Sequence, residues 1–230
     1  MLRDPQHNRI ALTTCRSIRK RIRATRQSLT PKEVTQDGAI VGLLMDKADK
    51  TARAVLTLVA RDYSEDALVL ARSLAGLVID VRYLTAANDP DRFASYRATG
   101  REARRKIAEQ CGFAPPDAGA PDWEDVKKRA KRWTQGGAIH ERAKKADCLR
   151  LYEYAYRHGS SFEHSDAWSL LTYEPQNAKV RDNVSHLALL VVAYALVQAY
   201  RAWAQFFGVD EKPTQEAIKK EFLRAFPAGL

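Results

Sequence analysis

Residues 177–208 decide the fold of this chain, and they read NAKVRDNVSHLALLVVAYALVQAYRAWAQFFG. Polar and charged residues lie near the start of the stretch, whereas Leu187 to Val197 are almost entirely apolar. At 1.5 Å per residue, a helix over Asn177 to Gly208 is about 45 Å long. A helix that is apolar on nearly all sides is buried, so this stretch is predicted to be the central helix of a bundle.

Two more long helices are predicted in the amino-terminal half. Apolar residues recur at steps of three and four from Leu70 to Leu84, which indicates a helix over residues 64–88 that is capped by Ser64. Thr30, followed by Pro31 and Glu33, has the pattern of a capping box, so a second helix is predicted to begin there and to run to about residue 62. The short turn between these two helices implies an antiparallel hairpin.

The rest of the chain follows the same pattern. Shorter helices are predicted over residues 89–112, 122–135, 147–157 and 214–226, with Ile107 and Leu223 among the side chains that face the core. The fold class is therefore all-α, a bundle of about seven to nine helices with a long central carboxy-terminal helix. Residues 1–29 are predicted to be a basic helix or arm, and residues 30–230 a single all-helical domain.

Composition limits the class of protein. The 230 residues are 45% hydrophobic and 29% charged, which is typical of a globular domain. The amino terminus lacks the apolar core of a secretory signal, and the longest apolar stretch is about half of the ~20 residues that cross a bilayer. We expect a cytoplasmic protein without membrane association. The three cysteines contain no CxxC pair, so neither a disulfide framework nor a zinc site is expected.

The net charge of +10 favours polyanionic partners, and RNA in particular. Basic residues concentrate in three clusters, over residues 16–26, 97–106 and 127–132. The residues predicted to bind nucleic acid are those of the first cluster, Arg16, Arg19, Lys20, Arg21, Arg23 and Arg26. The alternative is that these side chains form a solvated surface with no ligand.

Several short motifs carry a resemblance to a known family. They are Ala71-Arg72-Ser73-Leu74, Ile79-Asp80-Val81-Arg82-Tyr83-Leu84, Trp133 ahead of Tyr152-Glu153-Tyr154-Ala155-Tyr156, and Ser161-Phe162-Glu163-His164-Ser165. Over about residues 42–207 the sequence resembles the bacterial helical family of unknown function DUF5677. This resemblance implies a helical fold and names no activity. Family members carry a Glu a few positions after the Arg-Ser-Leu motif, where this sequence has Gly76.

Arg157 and His164, with six residues between them, also fit the loose Arg and His motif of the HEPN superfamily, many members of which resemble metal-independent ribonucleases. That resemblance implies a homodimer. In such a site a His transfers the proton of a ribose hydroxyl or leaving oxygen, while an Arg neutralises the phosphate. On a continuous helix the two residues would lie about 10.5 Å apart along the axis, and a break at Gly159 would let them approach. The alternative is that His164 hydrogen-bonds in a helix junction while Arg157 pairs with a neighbouring glutamate.

The residues predicted to contact substrate are Arg72, Asp80, Tyr83, Tyr156 and Ser161. Arg72 and Asp80 are eight apart on one helix and lie close to one face, so they could reach a polar pocket of the bundle. The alternative for this pair is a salt bridge that fixes the helix register and has no function in binding.

Several chemistries lack their usual motifs. None of the five histidines has a Glu three residues before it, as di-iron bundles require, and the sequence has no P-loop, GxGxxG, HExxH or GxSxG motif. No metal or cofactor is expected. Two hypotheses follow: an HEPN-like homodimer that binds and cleaves RNA as a toxin or phage-defence protein, or a non-enzymatic module whose basic surface recruits a protein partner or nucleic acid.

Overall fold

The computed structural model describes residues 5–28, 35–87, 89–114, 122–135, 138–157, 177–210 and 212–226. Within these ranges all regular structure is helical. The helices are α1 (Pro5–Ser28), α2 (Gln36–Val59), α3 (Ser64–Thr85), α4 (Pro90–Gln110), α5 (Trp123–Gln135), α6 (Ile139–Lys145), α7 (Leu149–Tyr152), a π-helix (Glu153–Arg157), α8 (Ala178–Phe206) and α9 (Lys212–Ala225). The all-α prediction is confirmed, and so is the long carboxy-terminal helix.

Helix α8 lies at the centre and packs against α1, α2 and α3. Leu189, Val192 and Tyr200 are fully buried. Several alanines of α8 are buried as well, and their small side chains let neighbouring helices approach closely. The Ser64 and Ser185 hydroxyls, 2.8 Å apart, join the start of α3 to α8. The apolar pattern of α8 therefore reflects contact with helices on several sides.

By length and composition alone, α8 is apolar enough to cross a membrane. However, 72% of its most apolar window is buried inside the bundle. A core helix of a water-soluble protein passes the same test, because burial in protein and burial in lipid both favour apolar side chains.

Helix α1 packs along α8 although it comes from the other end of the chain. Ala11, Cys15 and Ile18 are fully buried, and the Cys15 thiol donates to the Leu189 carbonyl oxygen at 3.3 Å. The Asn8 side-chain amide donates to the Asp182 carbonyl oxygen at 2.9 Å. The apolar stripe of α1 is thus part of the core, and its basic residues occupy the remaining faces.

One predicted helix start and two predicted N-caps are wrong, whereas the predicted start of α3 at residue 64 is confirmed. Helix α2 begins at Gln36, and its N-cap is Thr35, whose hydroxyl accepts from the Gly38 N–H at 3.1 Å. Thr30 lies outside the described residues. Ser64 does not cap α3, because its hydroxyl is bonded to Ser185 and Tyr63 is the N-cap. The turn before α3 instead contains Asp62 in the left-handed region, with φ of 64°.

Two predicted core side chains are exposed. Ile107 is 59% exposed, because Ala108 is the residue of that turn of α4 that is buried. Leu223 is 44% exposed, because Phe222 takes the core position of α9. In both helices the side chains of adjacent residues point in directions about 100° apart around the helix axis. Burying one side chain therefore turns its neighbour toward solvent.

Candidate functional site

A cluster of buried and half-buried charged and aromatic side chains lies where α3, α5, α6 and the π-helix meet. We call it the interior cluster and define it by Arg72 and Asp80 of α3, Trp133 of α5, Arg142 of α6 and Tyr156 of the π-helix. It contains two of the predicted substrate contacts on α3 and one on the π-helix.

The partners of the two α3 residues differ from those expected. Asp80 accepts from Arg142 Nε at 2.8 Å, so the salt bridge joins α3 to α6 and is not formed with Arg72. The Arg72 Cζ atom instead lies 4.7 Å from the centroid of the Tyr156 ring, a cation–π distance. The alternative of an Arg72–Asp80 salt bridge is therefore wrong, because Arg142 reaches Asp80 from another helix.

The Arg142 guanidinium lies beside a group of aromatic rings centred on Trp133. Its Cζ atom lies 5.1 Å from the Trp133 ring centroid, and Trp133 is contacted edge-on by Tyr83 at 5.6 Å and Tyr96 at 5.1 Å. The Arg92 guanidinium lies 4.2 Å from the Tyr83 ring. A small cavity of about 130 Å³ opens beside Tyr83, Trp133 and Arg142. The cavity is smaller than the roughly 300–1,000 Å³ of typical ligand pockets, so these side chains mainly pack against one another.

The π-helix sets the position of Tyr156. The wider π turn brings residues four apart nearly into register, and the Tyr152 and Tyr156 rings stack with centroids 5.0 Å apart. A Cβ atom at Gly76 would lie 2.6 Å from the Tyr156 hydroxyl oxygen. Tyr156 thus occupies the space that a side chain at position 76 would need, which accounts for glycine where the family resemblance predicts glutamate.

Burial controls protonation in the interior cluster. Desolvation raises the pKa of Asp80 above its ordinary value of 3.8, although Arg142 opposes the shift. Desolvation also raises the pKa of Tyr156, with Arg72 acting in the opposite direction. Tyr156 is therefore a protonated hydrogen-bond donor at neutral pH and not a base. Burial raises the pKa of Cys148 to about 12, so this thiol is no nucleophile.

A second candidate site is the groove between α1 and α2. Its cavity of about 450 Å³ is lined by five cationic side chains and two carboxylates. The cationic residues are Arg19, Arg23, Arg26, Lys50 and Arg53, and the carboxylates are Asp46 and Asp49. We call this the basic groove. Its lining carries a net charge of +3.

Ion pairs neutralise part of the basic groove. Arg19 pairs with Asp49 at 2.7 Å and Arg26 pairs with Asp46 at 3.0 Å. Among the described residues, Arg23, Lys50 and Arg53 have no ion-pair partner. The surplus of positive charge therefore lies on these three side chains.

The six residues predicted to bind nucleic acid lie in three different environments. Arg19, Arg23 and Arg26 line the basic groove. Arg21 pairs with Glu221 of α9 at 2.7 Å. Arg16 and Lys20 are exposed on α1, where they share a face with Arg23 at steps of four and three.

The other two basic clusters are also partly paired with acids. Arg101 pairs with Asp122 at 2.7 Å, and Arg97 pairs with Asp37. Further ion pairs are Arg105–Glu109, Lys106–Glu102, Lys127–Glu124 and Arg129–Asp125. Arg97 thus joins α4 to α2, and the other five pairs lie within α4 or α5 or join α4 to the residue before α5.

The predicted catalytic pair falls at the edge of the described structure. The Arg157 backbone ends the π-helix, and the Arg157 side chain, Ser161 and His164 lie outside the described residues. Within the described ranges, no three His, Cys, Asp or Glu side chains are grouped so that they could hold a metal ion.

Sequence reasoning missed Arg142, although it forms the strongest contact with Asp80. The two residues are 62 positions apart on different helices, so no periodicity in the sequence links them. Trp133 lies on a stripe that the sequence predicts to face the core, which the structure confirms, since it is 8% exposed. Its contact with a guanidinium depends on how α5 and α6 pack and has no local sequence signal.

A family model described as "Family of unknown function (DUF5677)" matches residues 38–177, which is more than half of the chain. The chain belongs to the DUF5677 family. Comparison with curated proteins and with solved structures gave no match. All five residues of the interior cluster lie inside the DUF5677 segment. The basic groove lies partly outside it, because α1 precedes the matched residues.

Proposed function

We propose that this DUF5677 protein binds RNA, with the phosphate backbone held in the basic groove between α1 and α2. The observation that carries the proposal is the set of three cationic side chains, Arg23, Lys50 and Arg53, that have no acidic partner among the described residues of this groove. RNA phosphates would supply the missing negative charge.

The shape of the groove favours a backbone ligand over a compact one. α1 and α2 run antiparallel, since Arg19 contacts Asp49 while Arg26 contacts Asp46 and the Gly42 carbonyl oxygen. The cationic side chains therefore follow the groove along the two helices. A chain of phosphates matches such a row better than a single anion, and its binding releases counterions.

We further propose that bound RNA is cleaved by Arg157 and His164 in an HEPN-like homodimer acting in the cytoplasm as a toxin or phage-defence protein. His164 would take the proton of a ribose 2′-hydroxyl, whose oxygen attacks the adjacent phosphorus to form a 2′,3′-cyclic phosphate while the 5′-oxygen leaves and takes a proton from water. Arg157 would neutralise the charge that builds on the phosphate. The interior cluster supports this proposal, because Tyr156 directly precedes Arg157 in the sequence and the Arg72 guanidinium lies 4.7 Å from the Tyr156 ring centroid.

The binding proposal is tested with the double variant Arg23→Glu/Arg53→Glu and a labelled single-stranded oligoribonucleotide of mixed sequence. Losing two phosphate contacts should reduce the slope of log affinity against log salt by about 1.4. The matched control is Lys179→Glu/Lys220→Glu, which makes the same change in net charge at exposed positions outside the groove. Equal effects of the two double variants would contradict a site in the groove.

The cleavage proposal is tested separately with Arg157→Ala/His164→Ala. Expression of the unchanged protein in a bacterial host should slow growth and fragment cellular RNA, and the double variant should do neither while still binding RNA. RNA binding without any difference in RNA integrity between the two proteins would instead favour the non-enzymatic module.

A further inference from the structure

A cleft between α8 and α9 lies outside both sites described above. α9 follows α8 after a short connection and, at its other end, contacts α8 through Phe226, whose ring centroid lies 5.3 Å from that of His186. Between these contacts a cavity of about 610 Å³ separates the helices. Ligand pockets in proteins have volumes of about 300–1,000 Å³, so this cleft is large enough for a small molecule.

The walls of the cleft are mostly apolar. Val197 of α8 faces Ile218, Phe222 and Leu223 of α9 across it. Ile218 is buried, whereas Leu223 is 44% exposed at the edge. An apolar molecule in the cleft would remove this surface from water, which favours binding.

Two buried polar atoms on the walls have no hydrogen-bond partner within the described part of the chain. Tyr200 is fully buried, and its hydroxyl is unpaired. The Gln215 side-chain nitrogen is also buried and unpaired. By contrast, the hydroxyl of Tyr194 on the same wall is hydrogen-bonded by Gln198. Buried polar groups are rarely left unpaired, so both atoms are available to donate to an acceptor on a ligand.

The rim of the cleft is positively charged. Arg201, Lys212 and Lys219 are exposed along it, together with one carboxylate, Glu216. The net charge of +2 favours an anionic group over a cationic one. The cleft thus combines an apolar interior, two hydrogen-bond donors and a cationic rim.

We propose that the cleft between α8 and α9 binds an amphiphilic carboxylate, whose apolar chain lies against Val197, Ile218 and Phe222. The carboxylate accepts from the Tyr200 hydroxyl and the Gln215 amide and is neutralised by the cations of the rim. This site is independent of the RNA proposal, because none of its residues lines the basic groove.

The test uses isothermal titration of the full chain with dodecanoate, below its micelle-forming concentration, in parallel with dodecanol and dodecylamine. Dodecanoate should bind with one-to-one saturation, dodecanol more weakly and dodecylamine most weakly. Tyr200→Phe keeps the ring and removes one donor, so it should lower dodecanoate affinity about five- to tenfold. The melting temperature of this variant should not fall, because the lost hydroxyl has no partner in the described part of the free protein.

A second pair of variants tests whether the charge of the rim contributes to binding. Lys212→Glu/Lys219→Glu should lower dodecanoate affinity about tenfold or more and leave dodecanol within about twofold, because only the carboxylate interacts with the rim. Lys179→Glu/Lys220→Glu should change neither. The proposal is overturned if no saturable binding occurs, if dodecylamine binds as tightly as dodecanoate, or if both Tyr200→Phe and the rim variant bind dodecanoate unchanged.

Discussion

Gly76 and Tyr156 show how one contact can restrict a residue choice. The Cβ of an alanine at position 76 would lie 2.6 Å from the Tyr156 hydroxyl oxygen and 3.4 Å from Ile139 Cδ1. The first distance is too short for any real contact, so Tyr156 would have to move. The Tyr156 ring also stacks on Tyr152 and forms a cation–π contact with Arg72. Its displacement would therefore disturb the interior cluster.

We therefore expect Gly76→Ala to lower the free energy of unfolding by about 1–3 kcal/mol, as overpacking does in other cores. The measurement is urea denaturation followed by circular dichroism. Gly100→Ala is the matched control: Gly100 is exposed on α4, and a Cβ atom added there would have no neighbour within 4 Å, so alanine should stabilise the helix by up to about 1 kcal/mol.

Removing the hydroxyl that causes the clash should rescue the variant. The Tyr156 Cζ atom lies 3.8 Å from the same Cβ position, which is an ordinary contact distance. Gly76→Ala/Tyr156→Phe should thus be more stable than the sum of the two single changes indicates. Strict additivity would show that the loss in Gly76→Ala arises elsewhere.

The Asp80–Arg142 salt bridge leads to a prediction about pH. Burial raises the pKa of Asp80 in the folded protein above 3.8, and Arg142 limits the rise. A group with a raised folded-state pKa stabilises the fold below its unfolded pKa and loses that contribution as pH rises through the folded value. Arg142→Met would raise the folded pKa of Asp80 further. This variant should be less stable than the unchanged protein by about 2–4 kcal/mol at pH 7.5, with a smaller difference at pH 4.5.

Chemical denaturation at a series of pH values measures this difference. Adding Asp80→Asn to Arg142→Met removes the titrating group, so the stability difference between the double variant and the unchanged protein should vary less with pH. If Arg142→Met loses the same stability at every pH, the loss comes from the contact of Arg142 with Trp133 and not from the carboxylate.

At the scale of the helices, Thr30 and Thr35 are the two candidates for the N-cap of α2. The sequence favours Thr30, because proline and glutamate follow it in the order of a capping box, whereas the structure has Thr35 bonded to the Gly38 N–H. Local patterns of this kind identify a helix more reliably than its first residue, since several positions compete for the cap.

Thr35→Ala should lower the free energy of unfolding by about 1 kcal/mol, the usual cost of losing an N-cap. Thr30→Ala, measured by the same thermal or urea denaturation, should have no effect beyond about 0.3 kcal/mol. If Thr30→Ala lowers the free energy of unfolding more than Thr35→Ala does, Thr30 is the N-cap, as the sequence favours.

The π-helix is an element that the sequence of its own segment does not predict. The sequence predicts one helix over residues 147–157, and the structure instead has α7 from Leu149 followed by five residues of π-helix. Tyr152 stacks on Tyr156 and is contacted edge-on by His140 at 5.1 Å. These contacts come from α6 and from the π turn itself, so the change of helix type depends on packing that no window of the sequence contains.

At the scale of the whole molecule, the fold is more predictable than the candidate sites. The apolar run from Leu187 to Val197 is a local property that is enough to predict the central helix, and the helical spacing of apolar residues in the other segments is enough to predict the all-α class. The basic groove is only partly predictable, because the sequence shows where cations concentrate but not which are neutralised. Arg21 pairs with Glu221, 200 residues away, and Arg101 with Asp122, 21 residues away.

The packing of α1 along α8 has a consequence for how the protein is made. Asn8 and Cys15 each bond to residues 174 positions later, so the partners of α1 are translated long after α1 itself. Until α8 leaves the ribosome, the apolar faces of α1, α2 and α3 have no central helix to cover them. We expect the nascent chain to rely on chaperones until α8 has emerged, and to form this core only then.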